Sequence, residues 1–211
     1  MYRNNVEDIF SLNKDVITLD TETTGLNPRK DKLRLIQLHD GDKSVVLDLF
    51  KEPLTPEYIS HINNFFNDVR VIAGHNIKFD LQFCWSYGID TDIAARLVEN
   101  HIDKFEVGHF RLDRCTDRYL HNKIDKELQK SDWSGKLSEE QITYALNDVI
   151  WTHKLYYKLK QELIDNKLVK VAVIEFKAIP AIASMEYNGF YIDTNHWKNL
   201  IPLYEERVAK L

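Results

Sequence analysis

Val16-Ile17-Thr18-Leu19-Asp20-Thr21-Glu22-Thr23-Thr24-Gly25-Leu26 joins an apolar run to two carboxylates and a glycine turn. The run predicts a buried strand over 16–20 that ends where the acids begin. Strand residues two apart point to the same face, so Asp20 and Glu22 project together into one pocket. Two carboxylates that close repel when ionised unless a cation stands between them. The pair therefore asks for a divalent metal. Hard oxygen ligands suit Mg²⁺ or Mn²⁺, which usually keep positions for water and phosphate oxygens.

Two further segments add acids. In Ala73-Gly74-His75-Asn76-Ile77-Lys78-Phe79-Asp80, a second apolar strand over 69–73 ends in glycine, and the polar turn leads into a helix with Asp80 near its start. In Ser138-Glu139-Glu140-Gln141-Ile142-Thr143-Tyr144-Ala145-Leu146-Asn147-Asp148, Ser138 and Gln141 read as a capping box. The helix they open carries Tyr144 and Asp148 at i and i+4, on one face.

Strands over 33–39 and 44–49 join the first by turns at Asn27-Pro28-Arg29 and Asp40-Gly41-Asp42, giving an antiparallel meander. Helices are predicted over 55–67, 78–87, 90–100 (with Asp90 as its N-cap) and 110–121. A loop over 122–136 precedes the helix opened by Ser138, which reaches about residue 166. Another helix spans 171–187, where Pro180 predicts a kink or break; Asn188-Gly189 turns the chain, and a last helix covers 195–211. The pattern is of the α/β class.

The 211 residues suit one catalytic domain plus a short appendage, and a hydrophobic fraction of 44% is ample for a core. No stretch has the length of a membrane span, and the first residues lack the apolar centre of an export signal, so a cytoplasmic protein is expected. Cys84 and Cys115 lack the spacing of a zinc site and read as reduced structural thiols. The net charge of −5 suits a nucleic-acid binder only if metals neutralise the acid site and any basic track is local. Lys78, Arg111, Arg114, Lys126, Lys130 and Lys136 are the candidates for that track, and weak, salt-sensitive DNA binding is expected.

Taken together, Asp20-Thr21-Glu22, then Asn76 with Phe79-Asp80, then Tyr144 with Asp148 resemble the motifs of the DEDD superfamily of 3′–5′ exonucleases, in its tyrosine branch. The chain is most similar to the proofreading domain of family A DNA polymerases. Leu128-Gln129-Lys130-Ser131-Asp132-Trp133-Ser134-Gly135 adds to that likeness, although ribonuclease D-like proteins carry a similar stretch. Glu175, Ile179-Pro180, Met185-Glu186 and residues 189–193 resemble the segment that leads from exonuclease to polymerase.

The resemblance implies an α/β, ribonuclease H-like mixed sheet: a three-stranded antiparallel meander, then parallel strands, flanked by helices, with the first strand central. It implies an exonuclease domain over 1–168, and over 169–211 a helical extension like the start of a polymerase region. Two Mg²⁺ (or Mn²⁺) ions are implied, with Asp20 shared between them, Glu22 and Asp148 on the nucleophile side, and Asp80 on the leaving-group side through water. Tyr144 would orient the attacking water. For substrate binding it implies Thr21, the Thr23 N–H and Glu22 as partners of the terminal 3′-hydroxyl, Leu26 as a wedge, and Asn76 and Phe79 at the nucleotide pocket, with Trp133 either a stacking face or a packing anchor. Single-stranded or frayed DNA 3′ ends would be shortened to 5′-mononucleotides, with a polymerase region or polymerase as partner. The alternatives are ribonuclease D-like trimming of RNA and a catalytically silent nucleic-acid-binding domain.

Overall fold

The computed structural model describes residues 5–51, 54–86 and 110–210. The helix expected over 90–100 and its cap Asp90 lie outside them. Three antiparallel strands, β1 (Ile17–Thr23), β2 (Leu33–His39) and β3 (Ser44–Asp48), are joined on the far side of β1 by the parallel β4 (Ile72–Ala73), in the order β3-β2-β1-β4. The first strand is thus an inner strand, as expected, and among the described residues one strand is parallel.

Side-chain alternation along β1 assigns each layer its contacts. Ile17 and Leu19 enter the main core with Ile62, Phe65 and Phe66 of α1 (Pro56–Asp68) and Ile77, Leu81 and Phe83 of α2 (Ile77–Ser86). Thr18 faces the other way, and its hydroxyl reaches the carbonyl oxygen of Val149 at 2.9 Å in the long helix α4 (Glu139–Asp165). A sheet covered on both faces explains why β2 is buried along its whole length, including Arg34, whose Nε lies 2.8 Å from Asp48 Oδ1. α3 (Leu112–Leu120) packs on α4 through Leu112, Cys115, Leu155 and Leu159.

The structure corrects three expectations. β1 does not end at residue 20; it pairs with β2 through Thr23, across an irregularity between Glu22 and Thr23, so both acids stand inside the strand. β4 is shorter than 69–73, because Val69 caps α1 with its N–H on the Phe66 carbonyl and the Arg70 N–H is taken by the Lys14 carbonyl. Pro180 does not break its helix: α5 runs from Val169 to Asn188 with the proline inside. An interior proline costs roughly 3 kcal/mol. Packing offsets it here, with Ala183 fully buried in the main core and Phe176 and Ile179 against it. α6 (Thr194–Ala209) follows, capped by Asp193, with no buried residue; Trp197, Ile201, Tyr204 and Val208 leave an apolar stripe exposed.

Candidate active site

β4 stops at Ala73, opposite Thr18, so among the described residues β1 has no paired strand on that side from Leu19 onward. The chain leaves through Gly74, where a Cβ would come within 2.9 Å of the Leu19 carbonyl oxygen; only glycine lets it pass so close. Asn76 then adopts φ 58° and α2 begins. A cavity of about 950 Å³ opens in the space that β4 vacates.

Three helices and a strand supply its walls. Asp20 and Glu22 come from β1 and Asp148 from α4, and one carboxylate oxygen of each lies within 4.8 Å of the others. The capping box is present: the Ser138 hydroxyl accepts the Gln141 N–H at 3.2 Å and Gln141 Oε1 accepts the Ser138 N–H at 3.0 Å, which fixes the start of the helix bearing Tyr144 and Asp148. Asp80 is buried too but stands outside that group of three. It arrives from α2, on the opposite face of the sheet, and its Oδ1 accepts the Thr21 hydroxyl at 2.6 Å.

Burial and crowding act together on these acids. Burial, then the negative charges of Asp80, Asp148 and Glu22, hold the Asp20 carboxyl well above the usual carboxylate range. Burial followed by Asp148 does the same to Glu22. Asp80 is pushed by burial to about 7, against the pull of the Thr21 hydrogen bond. Burial raises Asp148 while the adjacent Lys126 lowers it. Burial and the nearby Asp148 and Glu22 charges raise Tyr144, so its phenol keeps its proton. His75 falls to about 4, through burial and then the positive charge of Lys126, and is neutral at pH 7.

The remaining candidates fall into place unevenly. Leu26 is 83% exposed at the mouth of the cavity, on a loop tied by Asn27 N–H to Asp31 Oδ2 at 2.8 Å. Asn76 and Phe79 line the cavity, Phe79 backed by Phe83 with ring centroids 4.9 Å apart. The Thr23 hydroxyl donates to the Gly25 carbonyl at 2.6 Å. Thr21 lines the cavity, and alternation along β1 directs its hydroxyl to Asp80, to which it donates. Trp133 lines the cavity but is 4% exposed and packs with Leu35, Val46, Ile142 and Tyr144, the packing-anchor alternative. Of the basic residues, Arg111, Lys126 and Lys130 line the cavity. Lys78 is paired with Glu186 at 2.7 Å, and Arg114 and Lys136 are exposed elsewhere.

Two residues take positions that a linear reading does not signal. Lys126, named above for the basic track, instead places its ammonium among the acids, although Asp125 and Glu127 flank it as on any solvated turn. Arg29 reaches from the Leu26 loop to the end of α5, donating to the carbonyls of Tyr187 and Asn188.

The profile of the 3′–5′ exonuclease family matches residues 5–164. DNA polymerase I of Aquifex aeolicus is 31% identical over 219 residues, a match covering 94% of this chain and 36% of that protein. Ribonuclease D of Bartonella henselae is 31% identical over 163 residues, covering 74% of this chain and 38% of that one. Each relative is thus much longer than the part that this chain spans. Among solved structures, NrnC of Brucella melitensis superposes with a TM-score of 0.72 at 25% identity, over 89% of this chain and 92% of that chain. NrnC has also been solved with bound Mg²⁺ and with bound pGG.

Proposed function

The chain belongs to the 3′–5′ exonuclease family, and from that premise we propose that it removes nucleotides from DNA 3′ ends by metal-dependent phosphodiester hydrolysis, in the manner of a proofreading nuclease. The observation that carries this reading is the convergence of Asp20, Glu22 and Asp148 oxygens within 4.8 Å, beside Asp80, at the end of an open cavity.

The donor set fits two Mg²⁺ or Mn²⁺ ions. It is all carboxylate oxygen, it is buried, and its acids are held so far from their ordinary acidity that a divalent charge is the natural counterpart. Asp20, Glu22 and Asp148 would hold the cations, with Asp80 reaching them through water. Cations bound there supply charge neutralisation at the phosphate and a nucleophile at neutral pH.

The chain's own residues do the rest. Tyr144, protonated, orients a water beside Asp148 by hydrogen bonding and does not serve as base. Thr23 and Glu22 meet the terminal 3′-hydroxyl, Leu26 wedges the last bases apart, and Asn76 and Phe79 border the nucleotide. Thr21 serves the site indirectly by fixing Asp80. The extension over 169–211 follows this exonuclease unit, and a polymerase region or polymerase partner is the expected associate, by analogy with the Aquifex relative.

A ribonuclease D-like role in trimming RNA is the second reading, favoured by equal identity to the Bartonella relative and by the Asp132-Trp133 stretch. Labelled DNA and RNA strands of matched sequence decide between them: with Mn²⁺, faster shortening of DNA from its 3′ end is expected, and preferential RNA trimming would reverse the order. No shortening of either, with Mn²⁺ bound, would remove catalysis altogether.

A further inference from the structure

Lys126 stands inside the carboxylate cluster. Its Nζ donates to Asp148 Oδ2 at 2.5 Å and to the Tyr144 hydroxyl at 3.0 Å, and lies 5.0 Å from the centre of the Tyr144 ring. The side chains of Lys126 and Asp148 are each 10% exposed. An ammonium leaves water to this degree only where ion pairing and hydrogen bonds replace its hydration. Its positive charge acts on Asp20, Glu22 and Asp148 alike.

Its position conflicts with metal loading. Asp148 belongs to the group of three whose oxygens converge, and an ammonium hydrogen-bonded to that carboxylate repels any divalent cation brought to the same oxygens. The backbone of Lys126 is tied to the turn that follows, its carbonyl accepting the Gln129 N–H at 3.2 Å. Beyond it the chain makes a 3-10 turn over Glu127–Lys130, and Gln141 Nε2 donates to Ser131 Oγ and the Asp132 carbonyl, each at 3.0 Å. Further on, Arg34 Nη1 donates to the Gly135 carbonyl at 3.1 Å. Movement is therefore left to the lysine's own four methylenes, which swing in the cavity that Leu26 and Asn76 also line.

We propose that Lys126 is a resident counter-ion that exchanges partners: it holds Asp148 and Tyr144 until divalent cations load, then gives up Asp148 and takes a phosphate oxygen of the bound strand. The phosphate half of this exchange rests on the exonuclease reading; the metal half does not. Lysine thereby keeps the empty acid cluster together, weakens its grip on metal, and delivers a positive charge to the substrate only in the loaded site.

Mn²⁺ binding to the full chain without nucleic acid, followed by electron paramagnetic resonance, tests the metal half. Lys126→Met is expected to bind Mn²⁺ roughly tenfold or more tightly than the parent, since a charge-assisted contact no longer competes. Lys126→Arg, which keeps the charge, is expected to stay within about threefold. With saturating Mn²⁺, Lys126→Met should nevertheless shorten a labelled strand several-fold more slowly. A lysine needed only for packing would weaken metal binding and turnover together. Mn²⁺ binding that is unchanged or weaker in Lys126→Met overturns the proposal, as does undiminished turnover; Lys126→Gln repeats both measurements should the methionine variant not fold. A parent that binds Mn²⁺ but shortens neither DNA nor RNA sinks the exonuclease reading and leaves the Mn²⁺ comparison valid.

Discussion

Thr21 and its neighbours show what one step along a strand decides. Asp20 and Glu22 face α4 and the cavity, while the residue between them faces α2 and fixes Asp80 with its hydroxyl. Thr21→Val keeps the shape and removes the hydroxyl donor, leaving the Asp80 carboxyl its backbone donors only, at a cost of about 1 kcal/mol. Urea unfolding should register that loss, turnover should fall with it, and Thr21→Ser should restore most of both. Tyr144→Phe should slow strand shortening with little change in Mn²⁺ binding; equal losses in the two would make the hydroxyl a part of the metal site instead. Leu26→Ala should reduce removal from blunt duplex ends more than from single strands, as expected of a wedge. The acids and Tyr144 are legible in the sequence because periods of 2 and 3.6 residues declare which side chains share a face. Thr21, Trp133 and Lys126 are not, since each owes its role to a neighbour distant in sequence: Asp80, Leu35 with Val46, and Asp148.

At the level of elements, helix ends do much of the positioning. Ser138→Ala should cost about 1 kcal/mol of stability, and because the capped turn leads into Tyr144, a loss of turnover should accompany it. The end of α5 holds the loop that presents Leu26. Arg29 donates through Nε to the Tyr187 carbonyl at 2.8 Å and through Nη2 to the Asn188 carbonyl at 3.0 Å, answering backbone acceptors that a helix leaves free at its end. Arg29→Ala should change global stability by less than about 1 kcal/mol, since the contact is exposed. Hydrogen exchange should still quicken at the amides of residues 24–32, and no change there would show that the loop is held by its own Asp31 bonds alone. Boundaries of β2 and the α4 cap follow from local sequence alone. The length of β4 and the persistence of α5 through Pro180 do not, because Lys14 and the core around Ala183 determine them from afar.

Across the whole molecule, His39 and His153 join the sheet to α4, their ring centroids 5.2 Å apart. Burial is the first cause that lowers both, His153 to about 4. The unfolded chain takes up protons near pH 6.5 while folded His153 resists until about 4, so stability is complete above 6.5 and is lost as pH falls through that window. Asp20, Glu22 and Asp80, raised on folding, act in the opposite sense and must be subtracted. The difference between parent and His153→Gln, measured by urea unfolding from pH 7 to pH 4, isolates the histidine; the parent should lose roughly 2 kcal/mol more on acidification. Parallel curves would assign the acid sensitivity elsewhere.

The apolar interior also ignores the border drawn by kinship. The family profile ends at residue 164, whereas Ala183 of α5 is wholly enclosed. A fragment trimmed to that border would retain Asp20, Glu22, Asp80 and Asp148 and bare the flank of α2 that Phe176, Ile179 and Ala183 now cover. Light scattering should find such a fragment prone to self-association, while one ending after Asn188 should stay monodisperse. That outcome would make the minimal folding unit a helix longer than the stretch the family profile matches.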